Sequence, residues 1–330
     1  GDARPRVCGA ETAVKASVLG CGRWGSFLAW YLSAKGDVVL WGRESGGSYR
    51  RLRETGGNEY LRLPENVRLT SDLGEAMASE LIVISIGAQG LRAFTEELKP
   101  YGLEHKTVLL CMKGLEEETG ARLSEIVNGA GVPPERVAVW LGPGHIQEFV
   151  SGKPNCMVID SANHSLAIAL ADWLRSDLIR FYYGNDLIGS EIGGAAKNVM
   201  GIAAGMLDGG GYGALKGVLM ARGAREVSRL IAKMGGNELS AYGLCHLGDY
   251  ETTLFSPYSN NRAYGEAFVK GERFLKLAEG VATAHAMTVL GARYGEELPI
   301  TNAVYSILKD KTDPMQVFLT LFSRSARTEF

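Results

Sequence analysis

The chain has few of the features that mark secreted, membrane-spanning or nucleic-acid-binding proteins. Its five cysteines are odd in number, scattered and without a Cys-x-x-Cys pair, which argues against a disulfide framework or a zinc ribbon and favours a reducing compartment. No apolar run approaches the roughly 20 residues that span a bilayer. The formal net charge of -2 argues against a nucleic-acid partner. The composition therefore predicts a soluble, cytoplasmic protein with no nucleic-acid partner and no integral membrane segment.

Length and pattern divide the 330 residues into parts. Residues 1–14 lack a starting Met and an apolar segment, so we expect a flexible extension or a cloning remnant, not a signal peptide. A chain this long favours two domains, which we expect at residues 15–184 and 185–330.

Short apolar runs alternate with helical patterns through the first of these domains. Continuous runs of four to seven residues, rich in Val, Ile and Leu, are typical of strands buried on both faces of a parallel sheet. The pattern predicts an α/β domain of the Rossmann type with a mainly parallel sheet. The predicted strands begin at residue 15 and recur at 37–41, 81–86, 107–111, 136–141, 156–159 and 179–183.

A glycine fingerprint, Gly20-x-Gly22-x-x-Gly25, stands between the first predicted strand and a helix. Three glycines in a tight turn would be weak evidence alone, but this context is typical of dinucleotide binding. Gly20 permits the turn, Gly22 lets the backbone approach a pyrophosphate, and Gly25 allows close helix packing. We expect the pyrophosphate at the helix N-terminus, where free N–H groups favour an anion.

The end of the second predicted strand bears on which dinucleotide binds. NAD enzymes commonly place an acidic residue there, whereas an arginine accommodates the 2′-phosphate of NADP. Arg43 comes first and favours NADP(H), and Glu44 follows directly, which leaves NAD(H) open.

The second half carries helical spacing and many small residues. Lys197 and Asn198 stand side by side in an apolar, glycine-rich segment, where burying an ammonium group is costly and has no obvious packing purpose. We interpret Lys197 as a proton donor in an all-helical domain. Loops are expected at residues 208–213 and 243–250, and further helices at 215–234, 272–294, 302–310 and 315–330.

One charged helix face has a simpler interpretation. Arg222, Arg225, Glu226 and Arg229 fall on one side of the helix predicted at 215–234. Charges at this spacing are typical of a solvated surface with an i,i+4 pair. We therefore predict a structural, solvent-facing role for them.

Two histidines admit more than one interpretation. His145 lies three residues before Glu148, and His246 follows Cys245. Neither pair has a standard metal-ligand spacing, and sequence neighbours rarely form a nucleophile and its base, so no metal site is predicted. Contact of either histidine with a substrate stays open.

Taken together, these segments resemble the NAD(P)-dependent glycerol-3-phosphate dehydrogenase family over residues 15–330. No single string is decisive, but their order and spacing are specific. The family fold is a Rossmann domain followed by an all-helical substrate domain. The markers are residues 20–25, 41–43, 113–116, 142–143 with Glu148, 191–198, 221–223, 247–249, 259–262, 279–280 and 298–301.

The resemblance implies a reaction and its residues. The family transfers a hydride between NAD(P)H and dihydroxyacetone phosphate, giving glycerol 3-phosphate reversibly. Lys197 matches the catalytic lysine that protonates the carbonyl oxygen, and Asn198 and Asp249 match polar residues that orient the lysine and the substrate. The resemblance further implies substrate contacts at Lys113, Gly142, Ser259, Asn260 and Asn261.

Cofactor contacts and assembly follow from the same resemblance. It implies a homodimer, which base rates for soluble enzymes also favour. Beyond the fingerprint glycines, the implied cofactor contacts are Arg23, Trp24, Arg43, Lys113, Ile146, Asn260 and Glu279.

The chain departs from the family pattern around the substrate. Asn260 replaces an arginine that contacts the substrate phosphate, and asparagine cannot reproduce a bidentate guanidinium. Arg262 nearby could compensate. Gly144 replaces a serine, Ala214 replaces an asparagine, and Cys245 and His246 replace small residues. These changes leave open a different phosphorylated or acidic hydroxy substrate, and, in another class, a nucleotide-binding regulator without catalysis.

Overall fold

The computed structural model describes residues 16–323, 325, 328 and 329, so the extension expected over residues 1–14 lies outside the described residues. The chain divides into two compact units. The first unit comprises the chain up to Lys113 together with Arg122–Glu191, and the second comprises Gly114–Ala121 and the chain from Ile192 onward. No helix in the described ranges is long and apolar enough to cross a membrane.

An eight-stranded sheet forms the centre of the first unit, in the order β3-β2-β1-β4-β5-β6-β7-β8. Neighbouring strands run parallel, except that β6 and β7 run antiparallel. The predicted Rossmann-type, mainly parallel sheet is confirmed. The strands are β1 (Ala16–Leu19), β2 (Val38–Trp41), β3 (Val67–Thr70), β4 (Leu81–Ile84), β5 (Thr107–Leu110), β6 (Val137–Leu141), β7 (Asn155–Ser161) and β8 (Ile179–Tyr183).

Two central strands are buried along their whole length and flank the point where the strand order reverses. All residues of β1 and β4 are buried, as expected of strands covered on both faces. Strand order reverses between β1 and β4, because β2 lies on the other side of β1. At such a switch point the carboxyl ends of the strands open a crevice in which ligands bind.

Helices connect and cover the strands of the first unit. In α1, the residues from Gly25 to Leu32 are all buried, so this helix is enclosed by the core. The helices are α1 (Arg23–Leu32), α2 (Gly47–Thr55), α3 (Leu73–Ala76), α4 (Leu91–Leu98), α5 (Leu123–Gly129), α6 (Ile146–Val150) and α7 (His164–Leu174).

The second unit is helical, as predicted: no strand occurs in its described residues. Short 3-10 turns and one π-helical turn, Glu251–Phe255, join its helices. These are α8 (Leu187–Gly209, which begins in the first unit), α9 (Lys216–Lys233), α10 (Asn260–Lys270), α11 (Gly280–Tyr294), α12 (Pro299–Asp310) and α13 (Pro314–Phe322).

Two helix predictions were wrong in extent. The helix expected at 272–294 begins only at Gly280, because α10 ends at Gly271 in the left-handed conformation (φ 67°) and an irregular segment follows. The helix expected at 315–330 ends at Phe322, and part of the remaining tail lies outside the described residues.

The charged face on α9 is only partly solvated, so that prediction was wrong for Glu226. This residue is 2% exposed. Its carboxylate accepts hydrogen bonds from the backbone N–H of Ile300 at 2.7 Å and of Thr301 at 3.0 Å, and from the Thr301 hydroxyl at 2.7 Å. Glu226 therefore caps α12 from a neighbouring helix. Arg222 on the same side is exposed.

Candidate active site

The glycine loop joins β1 to α1 and leaves no room for side chains at two of its glycines. A Cβ on Gly20, which has φ +111°, would lie 2.1 Å from the carbonyl oxygen of Ser85. A Cβ on Gly25 would lie 1.7 Å from the carbonyl oxygen of Gly20. Both distances are impossible, so this turn requires glycine at both positions.

Gly22 differs, because nothing lies within 4 Å of its would-be Cβ. It is the N-cap of α1, and no side chain caps the helix there. Backbone N–H groups at an uncapped helix N-terminus are suited to an anion. The loop therefore fits the pyrophosphate of a dinucleotide, with Gly22 as the point of closest backbone approach.

The two side chains between Gly22 and Gly25 differ in exposure. Arg23 is exposed and Trp24 is half-buried. The Trp24 ring lies 4.9 Å from that of Phe27 and 6.4 Å from that of Phe149. Trp24 thus packs on the first unit's aromatic core. Its proposed contact with a cofactor concerns only the part of the ring that remains accessible.

Two further predicted positions meet at the carboxyl edge of the sheet. Lys113 follows β5 and Gly142 follows β6, the neighbouring strand. The Lys113 ammonium donates a 2.7 Å hydrogen bond to the carbonyl oxygen of Gly142. Ile146, at the start of α6, is buried in the core of the first unit. These residues share the edge on which α/β sheets bind ligands.

Phe149 explains the glycine at position 144. A Cβ on Gly144 would lie 2.3 Å from the Phe149 ring, which stacks on Phe27 at 5.2 Å. Serine, which is common there in the family that the sequence resembles, would displace this ring. The departure at Gly144 is therefore coupled to packing beneath the glycine loop.

Lys197 lies on α8 in the second unit and is 7% exposed. Its ammonium forms a 2.9 Å ion pair with Asp249 and donates a 2.7 Å hydrogen bond to the Thr253 hydroxyl. Asp249 is completely buried, so each charge is compensated by the other. The arrangement holds the Lys197 ammonium at a fixed point inside the second unit.

Small residues on α8 let the partners of Lys197 approach. A Cβ on Gly201 would lie 2.9 Å from the Thr253 methyl group. One on Gly205 would lie 1.9 Å from the carbonyl oxygen of Arg262. Glycine costs helix stability, and here it is offset by the close packing of α10 and the 251–255 turn. Nothing in the sequence pattern pointed to Thr253.

His246 adjoins this ion pair and is fully buried. Its Nδ1 donates to the carbonyl oxygen of Gly193 at 2.9 Å, because a carbonyl can only accept, and its Nε2 accepts from the Tyr250 hydroxyl at 2.7 Å. Burial lowers the pKa of His246 to about 4. The imidazole is thus neutral, and both nitrogens are engaged inside the protein, so His246 is not a base for Cys245.

The asparagines of α10 connect three helices. Asn261 donates from Nδ2 to the side-chain oxygen of Asn198 at 3.0 Å, and its Oδ1 accepts from the backbone N–H of Gly280 at 2.9 Å. Asn260 donates to the carbonyl oxygen of Leu277 at 3.3 Å. Ser259 caps α10 by accepting from the Arg262 N–H. Of these three predicted substrate-binding positions, Asn261 contacts Asn198 directly.

Arg262 is held by carboxylates. Its Nε lies 2.7 Å from Asp208 and its Nη2 lies 3.5 Å from Glu266. These pairs oppose the idea that Arg262 compensates for the missing arginine at position 260. The other predicted position here, Glu279, is the half-buried N-cap residue of α11.

Comparison with known proteins finds family models that match the N-terminal and C-terminal parts of the chain. The family models for the N-terminal and C-terminal parts of NAD-dependent glycerol-3-phosphate dehydrogenase match residues 15–167 and 186–319. The chain belongs to the NAD-dependent glycerol-3-phosphate dehydrogenase family. This confirms the resemblance inferred from the sequence motifs.

Individual members of the glycerol-3-phosphate dehydrogenase family align over nearly the whole chain. The glycerol-3-phosphate dehydrogenase (NAD(P)+) of Deinococcus radiodurans is 38% identical, covering 94% of this chain and 96% of its own length. That of Chlorobium phaeobacteroides is 34% identical, covering 96% and 99%. The crystal structure of the Coxiella burnetii glycerol-3-phosphate dehydrogenase is 28% identical, with a TM-score of 0.86 over 94% of this chain and 99% of that one.

Acidification is expected to destabilise this family member through His246. Its folded pKa of about 4 lies below the ordinary 6.5, so between these values the unfolded chain binds a proton that the folded chain does not. The contribution of neutral His246 to the free energy of unfolding is complete above pH 6.5 and is lost as the pH falls from 6.5 towards 4. From about pH 7 to pH 5 the loss should reach about 2 kcal/mol.

Urea unfolding at the two pH values measures this loss. The matched variant is His246→Asn, which keeps an amide donor but cannot titrate. We expect it to lose about 2 kcal/mol less than the parent over the same pH interval. An equal loss in both proteins would show that His246 is not the group responsible.

Proposed function

We propose that this chain catalyses the reversible reduction of dihydroxyacetone phosphate by NAD(P)H to sn-glycerol 3-phosphate. The observation that carries the proposal is the buried ion pair of Lys197 with Asp249 on the helical unit. A dinucleotide-binding glycine loop on the first unit supports it. The relatives named above are called glycerol-3-phosphate dehydrogenases, which favours this substrate over another hydroxy or keto compound.

The glycine loop is the element suited to hold the dinucleotide. Gly22 and the uncapped N-terminus of α1 would receive the pyrophosphate, and Arg43 lies at the end of β2, where the ribose of the adenosine half is recognised. The nicotinamide supplies the hydride when it is bound. The protein's own task is to orient the carbonyl carbon and to stabilise the alkoxide.

Lys197 is suited to that task. A protonated ammonium stabilises negative charge that develops on the carbonyl oxygen and then donates a proton to it. Asp249 and Thr253 hold Nζ in one position, so little reorganisation is needed when charge develops. In the reverse direction the same nitrogen accepts the hydroxyl proton as the hydride leaves.

The remaining roles are proposed on the family relationship. Residues 15–184 would bind the nucleotide and residues 185–330 the substrate. Asn198 would orient the lysine and the substrate, and a cytoplasmic homodimer is the expected form. The proposed substrate contacts are Lys113, Gly142, Ser259, Asn260 and Asn261, and the further cofactor contacts are Arg23, Trp24, Ile146 and Glu279.

The experiment that tests the function follows NADPH and NADH oxidation with dihydroxyacetone phosphate, unphosphorylated dihydroxyacetone and a panel of keto phosphates and keto acids. We expect rapid oxidation with dihydroxyacetone phosphate alone. Turnover only with another compound would replace the substrate and keep the chemistry. Nucleotide binding without turnover of any compound would favour the regulatory alternative.

A further inference from the structure

Arg43 lies on an aromatic platform at the carboxyl end of β2. Its guanidinium carbon lies 5.7 Å from the centroid of the Trp41 ring and 5.8 Å from that of Phe94. These two rings stack on each other at 5.2 Å. The two rings favour this position of the guanidinium by cation–π contact.

A cavity of about 580 Å³ opens beside this arginine. It lies at the ends of β2 and β3, where the adenosine ribose of a bound dinucleotide is recognised in this fold. Arg43 and Arg50 both line it, so the cavity offers two guanidinium groups to an anion. The lining residues are Trp41, Arg43, Glu44, Ser45, Arg50 and Ser71.

The guanidinium of Arg43 is already paired. Its Nη2 lies 2.7 Å from the Glu97 carboxylate on α4, 54 residues further along the chain. Glu44, the acidic residue that could bond the ribose hydroxyls, lies 3.4 Å from Arg53. Arg43 and Glu44, the two residues that bear on cofactor choice, thus each pair with a charged side chain outside the glycine loop.

The Arg43–Glu97 pair has a direct consequence for a 2′-phosphate. A phosphate that binds Arg43 must either share the guanidinium with the Glu97 carboxylate or displace it. Two like charges then face each other close to the surface, where such an interaction changes affinity by about five- to tenfold. The ribose hydroxyl of NAD(H) carries no charge and meets no such repulsion.

We propose that Glu97 is a specificity-determining residue that weakens NADP(H) binding by holding Arg43, and so keeps NAD(H) usable. The proposal rests on the proposed use of a nicotinamide dinucleotide but not on the identity of the substrate. It revises the sequence-based expectation that Arg43 alone favours NADP(H). Arg43 supplies the attraction and Glu97 limits it.

Direct nucleotide binding tests this proposal without any substrate. The full chain and its Glu97→Gln variant are titrated with NADPH, NADH, 2′,5′-ADP and 5′-AMP at low salt. We expect Glu97→Gln to tighten NADPH and 2′,5′-ADP by about five- to tenfold and to change NADH and 5′-AMP less than about twofold. The gain should shrink in high salt, since the pair is exposed.

Two further variants make the test specific. Glu96→Gln is the matched control, because Glu96 is the adjacent glutamate on α4 and pairs with Lys99 at 2.7 Å. It should leave all four affinities unchanged. The double variant Arg43→Ala with Glu97→Gln should show a smaller gain for 2′,5′-ADP over Arg43→Ala alone than Glu97→Gln shows over the parent, because the carboxylate also acts by holding the arginine.

The outcomes separate this inference from the proposed function. An unchanged ratio of NADPH to NADH affinity in Glu97→Gln overturns the role of Glu97, and so does a gain that is equally large without Arg43 or appears equally in Glu96→Gln. The expected shift in a protein that does not reduce dihydroxyacetone phosphate supports Glu97 and overturns the proposed substrate. Failure of every nucleotide to bind overturns both.

Discussion

Replacing Lys197 by alanine is expected to lower kcat by about a thousandfold or more, with nucleotide affinity unchanged. The loss combines a general acid, worth about 10²–10⁴, with an electrostatic stabiliser of the alkoxide, worth about 10²–10³. Both rate effects come from one ammonium group, so the two factors do not multiply in full. Steady-state reduction of dihydroxyacetone phosphate, together with NADH titration, measures both quantities.

Lys216→Ala is the matched control for this substitution. Lys216 is a second largely buried lysine of the helical unit, paired with Asp208 at 2.9 Å. Its loss removes an ion pair that includes neither Lys197 nor Asp249, so it should leave kcat within about threefold and act mainly on stability. Equal damage by the two substitutions would mean that Lys197 acts through folding alone.

Adding a small amine to the Lys197→Ala variant distinguishes loss of the proton donor from damage to the fold. Ethylamine can occupy the space of the missing side chain, pair with Asp249 and donate a proton. We expect it to restore a measurable part of kcat, whereas tetramethylammonium, which has no proton to donate, should restore none. Near-normal turnover of the unrescued variant would remove Lys197 from the mechanism.

The sequence predicts seven of the eight strands and misses β3, which lies at one edge of the sheet. Leu81–Ile84 and Val137–Leu141 are continuous apolar runs, and both form interior strands. Val67–Thr70 was not predicted, because this edge strand carries an exposed Arg68 and a Thr in place of a continuous apolar run. The direction of β7, antiparallel to β6, has no signature in the sequence pattern.

The site could be predicted in parts but not in its connections. Lys197 and the glycine loop stand out because a charge among small residues and a strand–glycine–helix pattern are local signals. The bond from Lys197 to Thr253 joins residues 56 apart. The pairing of Arg43 with Glu97 joins residues 54 apart. Such contacts follow from tertiary packing, which periodicity and composition do not encode.

The burial of Glu226 in the helical unit is another tertiary feature that the sequence pattern did not predict. Replacing this residue is expected to have the largest effect on stability. Its neighbours at helical spacing predicted a solvated face, yet the carboxylate is enclosed against the start of α12. That helix has Leu298 at its N-cap, with no side-chain hydrogen bond of its own. Burial raises the pKa of Glu226, against the Thr301 and backbone hydrogen bonds that lower it. The capping function therefore comes from α9.

Glu226→Ala is expected to lower the free energy of unfolding by about 3 kcal/mol, because it removes a helix cap and leaves buried donors of Ile300 and Thr301 without an acceptor. Urea unfolding measures this loss. Glu266→Ala, which removes a partly exposed carboxylate paired with Lys270 at 2.6 Å, should cost less than about 1 kcal/mol. A similar small loss in both variants would show that the cap is not needed.

Glu226→Gln separates the charge of the cap from its hydrogen bonds. Glutamine keeps one side-chain oxygen as an acceptor but turns an amide N–H toward the other donor at the start of α12. We expect a loss about midway between the parent and Glu226→Ala, since one of the two oxygen acceptors survives. If Gln is as stable as Glu, the ionised carboxylate contributes nothing through the helix dipole. If Gln is as damaging as Ala, then both acceptors are required together, and α12 depends on the full carboxylate for its N-terminal turn.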